Sequence, residues 1–333
     1  MKIKKGFKVS TMKIIKKIIL FIFILGFIFS GYIAYCYFSK KPVPFFGRKI
    51  TGAYYSIGSS TSKKPLEWNI KQTKVFNREA NKIAGNLLMA DPFLHEYNGK
   101  WYAFFEIMNG KHADIGVAVE ENGSWKYLGI ALDESVHLSY PFMLKKDGIT
   151  YMIPETKRHE QVRLYKTDNF PFDWKVDKVL IDKERLVDAT LFEKDKVSYI
   201  LATKNEELKL YYSDSLHGTW QEHPSSPLKT GNYTRSAGRV FQEDGKTIRF
   251  AQDHFGGYGR AVYGFSIDSI SKTYYKETQL PNNPILKNQG DSWAKNGMHH
   301  IDIHKLPNGT YKAIYDGYGY GTEKITFSFS NNF

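Results

Sequence analysis

Two patterns divide the chain. Residues 18–38 are a run of 21 without a charge, and beyond them the sequence breaks into short apolar stretches separated by polar turns. As a helix rising ~1.5 Å per residue, that run would span about 31 Å, the thickness of a bilayer core. Further on, Tyr, Phe, Val and Ile recur in strand-like runs punctuated by Asn-Gly, Asp-Gly and Pro, which are strand and turn signals. No long stretch there carries the helical period.

The strand signals repeat. DPFLHEYNGKWYAFFE (91–106), YPFMLKKDGITYMIPE (140–155), DATLFEKDKVSYILAT (188–203), GRVFQEDGKTIRFAQD (238–253) and IDIHKLPNGTYKAIYD (301–316) each read as apolar strand, polar turn, apolar strand. Their starts are separated by 49, 48, 50 and 63 residues. A third strand is predicted after each, at 115–119, 162–165, 208–212, 261–265 and 324–329. In the first three repeats it leads to a tryptophan turn, at 123–125, 172–174 and 218–220, with room for an outer strand beyond. Four strands in about 50 residues make a propeller blade. The predicted fold is therefore all-β, a five-bladed β-propeller over residues 50–333 preceded by one N-terminal transmembrane helix. The fifth repeat stops after three strands, so closure needs a strand from the start of the domain, and residues 50–57 are the expected supplier.

Charge sharpens this division. The formal net charge is +13, yet residues 1–49 contain ten Lys and Arg48 with no acid, leaving 36 basic against 34 acidic residues in the rest. The propeller is close to neutral, which argues against a nucleic-acid partner. Seven lysines precede the apolar run, and Tyr32, Tyr35 and Tyr37 gather at its far end. Residues 1–17 are thus expected to be cytoplasmic, 18–38 to be the membrane anchor, 39–49 a linker, and the propeller to be extracytoplasmic. A cleaved signal peptide is the alternative, but the run is long for one, and bulky Tyr and Phe occupy the place of cleavage-guiding small residues. Cys36 alone excludes a disulfide scaffold or a multi-cysteine metal site.

In a propeller the innermost strands line a central channel, so the residues that open them converge. These are Asp91, Tyr140, Asp188, Arg235 to Arg239, and His299 and His300 with Asp302. The second strands end beside them, about one strand spacing (~4.8 Å) further out, which adds Glu106, Glu155, Asp253 and Asp316. An isolated Asp at a strand start is ordinarily a turn residue, and it is the convergence that marks a site. His300 and His304 would need a helix to bind zinc together, and they fall in a predicted strand. No zinc site is therefore expected, and only a calcium or similar ion near the axis stays open. The glycine-rich stretch 256–264 reads as a strand connection.

The Asp-Pro start of blade one, the Asp-Ala start of blade three and the blade-five histidine resemble the five-bladed glycoside hydrolases that include arabinanases, β-xylosidases and levansucrases. That resemblance implies Asp91 as general base or nucleophile, Asp188 as an assisting carboxylate, and His299 or His300 near a central ion. Where that clan has a fourth-blade Glu as acid, this chain has Arg235-Ser236-Ala237-Gly238-Arg239. SYPFMLKKDGITYMIPET (139–156), RSAGRVF (235–241), IRFAQD (248–253) and GMHHID (297–302) are similar to the N-terminal region of plant glucosamine inositolphosphorylceramide transferases and their bacterial relatives. This implies a glycan context over residues 60–330.

Two functions compete. One is a glycoside hydrolase or transglycosylase acting on a surface or environmental polysaccharide. Asp91, Asp188, Glu155 and Asp253 would be its catalytic carboxylates, the last two as substitute acids, with Tyr140, Arg235, Arg239, His299, His300 and Asp302 binding substrate. Tyr140 would stack on a sugar ring and Arg239 would hold an anionic group. The other is a non-catalytic glycan-binding module that assists a separate glycosyltransferase. A protein-interaction propeller is a third reading.

Overall fold

The computed structural model describes residues 3–38, 46–51, 55–77, 80–83, 88–108, 112–255, 257–288, 292–319 and 322–327. It divides into one unit of residues 1–49, 255–257 and 323–333 and a second of 50–254 and 258–322. The first contains a single helix, Ile3–Phe38. Its apolar segment Ile14–Tyr35, 22 residues with mean hydropathy 2.4, is long and apolar enough to cross a membrane. The helix also continues back through the lysine-rich segment. Most of the expected linker, 39–45, lies outside the described residues.

The second unit is the five-bladed propeller. Blade one is Met89–Tyr97, Lys100–Met108, Ala113–Glu121 and Ser124–Leu132; blade two is Ser139–Lys146, Ile149–Glu155, Gln161–Asn169 and Phe172–Asp182. Blade three runs from Val187–Lys194 through Val197–Lys204 and Glu207–Ser213 to the short Gln221–Glu222. Blade four is Phe241–Glu243, Lys246–Asp253, Ala261–Ile270 and Tyr275–Gln279. Blade five joins the two ends of the domain: Ile301–Lys305 and Tyr311–Tyr318 are followed by Tyr55–Ser62 and Lys74–Val75.

Closure thus differs in detail from the expectation. The N-terminal strand that completes blade five is Tyr55–Ser62, paired along its whole length with Tyr311–Tyr318. It takes the third place, which the sequence reading gave to 324–329, whereas Thr322–Phe327 pairs with Phe46–Thr51 in a separate two-stranded sheet. The strand is closely packed: Ser56 and Ser59 are buried, and a Cβ on Gly58 would lie 2.4 Å from Thr73 Cγ2 and 3.2 Å from the Trp293 ring.

The hairpin turns follow from local chemistry. Asn98-Gly99, Asp147-Gly148 and Asp244-Gly245 all have positive φ at both positions, between 49° and 80°, the conformation that matches the twist of two-residue hairpins. Aromatic side chains then fill the space between blades. Phe104 of blade one meets Trp174 of blade two edge to face at 5.7 Å, and Phe93 meets Tyr140 at 4.9 Å.

Two irregularities shape the channel mouth. In blades one, two and three the innermost strand carries a bulge, with Asp91, Tyr140 and Asp188 in the left-handed region at φ 50°, 47° and 53°. Bulges re-aim side chains, and each of these three reaches a residue of another blade. In blade four the expected strand shrinks to Phe241–Glu243, and the chain before it crosses toward blade five, where the Ile301 N–H donates to the Ala237 carbonyl at 2.8 Å. Gly238 permits the crossing. Its φ is +127°, and a Cβ there would sit 1.8 Å from the Ile301 carbonyl oxygen.

Candidate functional site

The carboxylates of the first three blades gather on one face. Asp188 is fully buried and accepts two parallel hydrogen bonds from Arg235, Nε to Oδ2 at 2.7 Å and Nη2 to Oδ1 at 3.1 Å. Gln252 Nε2 adds a third at 3.3 Å. Asp91 is buried, and its Oδ1, which accepts no hydrogen bond among the described residues, lies 3.7 Å from His299 Nε2 and 3.8 Å from His300 Nδ1. Glu106 lies opposite Ala90 near the end of the second strand of blade one, and Glu155 ends that of blade two opposite Ser139.

Burial and mutual repulsion set the protonation of this group. Burial, reinforced by the charges of Asp188 and Asp316, pushes Asp91 up to about 7 against the opposing pull of His299. Burial and the charge of Asp188 push Glu155 up to about 8, although Arg235 opposes them. Glu106 is raised by burial, Asp91 and Glu155. Two carboxyls therefore titrate close to neutrality beside a third that a guanidinium grips.

His299 and Asp316 form the wall from blade five. Burial opposes charge on His299, but Asp316, 2.6 Å from its Nδ1, overrides this and raises it. Asp316 also accepts from the backbone N–H groups of Asp91, His299 and His300 at 3.0–3.1 Å, so it staples blade five to blade one. His300 is fully buried, is held near 4 by that burial, and has no hydrogen-bond partner at either ring nitrogen. The donor atoms of Asp91, His299 and Asp316 lie within 4.8 Å of one another, close enough to hold a cation.

Several expected residues have other work. Tyr140 has no ring face to offer a sugar: it is enclosed, and its hydroxyl lies 2.7 Å from Thr190 Oγ1 and 2.9 Å from the Gly238 N–H. Arg239, expected to hold a substrate anion, donates to Asp302 at 2.8 Å. Asp302 also accepts from the Leu94 N–H at 2.7 Å and contacts His304 at 3.0 Å. That cluster sits two residues beyond His300, about 7 Å further along the strand, as a second staple between blades. Asp253 accepts from Asn232 Nδ2 at 2.9 Å, and its charge bears on Tyr233.

One residue escaped the sequence reading. Tyr258, in the glycine-rich connection 256–264, is 48% exposed at the mouth. Its hydroxyl accepts from Arg235 Nη1 at 3.2 Å, the guanidinium lies 5.3 Å from its ring centroid, and the His299 ring stands edge-on at 5.2 Å. Gly259, at φ +66°, lets the loop press on the site, since a Cβ there would lie 2.7 Å from the Tyr55 hydroxyl. An exposed tyrosine between glycines, just after a carboxylate-bearing strand, was the available signal.

Solved structures share this five-bladed fold. A thermostable family-43 glycoside hydrolase superposes with a TM-score of 0.52 at 15% identity, covering 73% of this chain and 95% of that one. An alpha-L-arabinofuranosidase from Podospora anserina gives 0.52 at 11%, covering 70% and 91%.

The family model described as glucosamine inositolphosphorylceramide transferase 1, N-terminal, matches residues 61–318, and the chain belongs to this family. It is 38% identical over 246 residues to glucosamine inositolphosphorylceramide transferase 1 of Oryza sativa subsp. japonica, covering 69% of this chain and 33% of that protein. The corresponding Arabidopsis thaliana protein is 35% identical over 245 residues, covering 69% and 32%. The chain thus spans about a third of the length of these relatives. The sequence match thus carries the family and the solved structures carry the fold.

Proposed function

We propose that the carboxylate cluster is a glycan-processing site that breaks a glycosidic bond and passes the sugar to water or to an acceptor hydroxyl. The observation that carries this reading is the convergence of Asp91, Glu106, Glu155 and Asp188 at one channel mouth, where burial and neighbouring charge push Asp91 up to about 7 and Glu155 up to about 8. Acetal chemistry needs one protonated and one ionised carboxyl across the reacting bond. Glu155 would donate its proton to the departing glycosidic oxygen as the bond to the anomeric carbon breaks. Ionised Asp91 would act on the other side as base or nucleophile. Asp188, oriented by Arg235, would position the sugar, and Tyr258 would supply the aromatic face that Tyr140 lacks.

The helix Ile3–Phe38 would anchor the protein. The lysine excess before the apolar segment favours a cytoplasmic N-terminus and an extracytoplasmic propeller. Surface or environmental polysaccharides are then the accessible substrates.

The Arg235–Asp188 pair favours a second reading. A guanidinium in place of the acid that the resemblance implies suits a module that binds a glycan and presents it to a separate glycosyltransferase. Incubating the full-length protein with polysaccharides of its source organism and a panel of plant and fungal glycans separates the two. New reducing ends or transfer products from the wild type, absent from Asp91→Asn and Glu155→Gln, support the enzyme. Binding without product at any pH from 5 to 8 overturns it in favour of the module.

A further inference from the structure

We propose that His112, Asp114 and Asp133, at the outer edge of blade one, form a binding site for a divalent transition-metal ion, with zinc the best match to the donor spacing. The strand register builds the site. His112 and Asp114 are two residues apart at the start of the third strand, Ala113–Glu121, so they share a face. Asp133 follows the fourth strand, in which Leu132 pairs with Ile115, and this brings its carboxylate beside that of Asp114.

His112 Nε2 lies 3.1 Å from Asp114 Oδ1 and 3.5 Å from Asp133 Oδ1. The donor atoms of all three residues fall within 4.8 Å of one another. Donors about 2.0–2.2 Å from a tetrahedral ion stand about 3.3–3.6 Å apart, and the two measured spacings are close to that range. One imidazole and two carboxylates are an established mixture for zinc.

A simple ion pair would account for His112 and the buried Asp114. It would not account for the second carboxylate on the same imidazole nitrogen, which leaves the cluster with negative charge even when the histidine is protonated. Asp133 is held in place, since the Ser135 backbone N–H donates to its Oδ1 at 2.7 Å. His112 lines a cavity of about 250 Å³ together with Met108, Val136, His137 and Arg158. His137 Nε2 in turn lies 3.7 Å from Glu106 Oε1.

The test uses full-length protein in detergent, stripped with EDTA and titrated calorimetrically with ZnCl₂, MnCl₂ and CaCl₂. The expected result is a saturable zinc equivalent that is weakened at least tenfold in Asp133→Asn and in His112→Gln. Asp133 is more than half exposed, so Asp133→Asn should fold and decide the matter even if His112→Gln does not. The proposal is overturned if the wild type shows no saturable zinc binding. It is equally overturned if Asp133→Asn binds zinc as the wild type does, because the ion then sits elsewhere.

Discussion

Arg235 and Asp188 are held together across the boundary between blades three and four by two parallel hydrogen bonds, at 2.7 and 3.1 Å, with the carboxylate fully buried and the guanidinium partly open to the mouth. Removing one partner of such a pair strands a buried charge, at a typical cost of ~3–5 kcal/mol. Arg235→Ala should therefore destabilise the propeller by about that much. The double variant Arg235→Ala/Asp188→Asn should recover a large part of the loss. Urea unfolding of the four proteins in the cycle measures the coupling, and simple additivity would show that the pair does not stabilise the fold.

The raised carboxyls make stability depend on pH with a definite sign. Asp91, Glu106 and Glu155 keep their protons in the folded state above the range in which unfolded carboxyls ionise. The folded protein thus binds more protons, and this contribution is lost as pH rises from the unfolded carboxyl range of ~4 up to about 7 for Asp91 and about 8 for Glu155, by at most about 1.4 kcal/mol per pH unit for each proton involved. His299, also raised, acts in the same direction. Asp302 and Asp316 are lowered and act oppositely, so their contribution is lost in acid. Melting temperature should fall as pH rises from the acid side of neutrality to about 8. Glu155→Gln should flatten that fall, and an unchanged slope in that variant would place its proton elsewhere.

The blades were legible because their hairpins are local: an apolar run, an Asn-Gly or Asp-Gly turn and a second run need nothing distant to define them. Convergence of Asp91, Glu106, Glu155 and Asp188 followed from topology alone. The direction of individual side chains did not. The bulges at Asp91, Tyr140 and Asp188 leave no mark in hydrophobic periodicity, so Tyr140 reads as a mouth residue when it is a buried tie between blades. Arg239 and Asp302 look like ligand contacts until the spacing of blades four and five shows that they satisfy each other. Closure by Tyr55–Ser62 was hidden because that strand is rich in serine and glycine and poor in large apolar residues.

Gly238 makes the blade-four departure possible, and its replacement tests that account. A Cβ there would both occupy a backbone conformation at φ +127° and approach the Ile301 carbonyl oxygen to 1.8 Å. Neither neighbour can yield without breaking the bond from the Ile301 N–H to the Ala237 carbonyl. Gly238→Ala should cost more than about 3 kcal/mol, in the range reserved for steric failure in a core. Gly99→Ala, at a turn with open space around it, should cost about 1 kcal/mol. Equal losses in thermal unfolding would refute the steric argument.

Tyr258 carries the sharpest functional expectation. It is the half-exposed aromatic ring at the mouth, braced by Arg235 through its hydroxyl and by His299 against its edge. An amphipathic ring fixed in this way offers its apolar face to the C–H face of a sugar at little entropic cost. Tyr258→Ala should weaken glycan binding about tenfold, equivalent to ~1.4 kcal/mol. Tyr258→Phe should retain most of the affinity, because the ring stays while only the bond from Arg235 is lost. Calorimetric titration with whichever glycan the wild type binds reads both. Equal losses in the two variants would assign the effect to the hydroxyl and its hold on Arg235, and no loss in either would move the binding surface away from this loop.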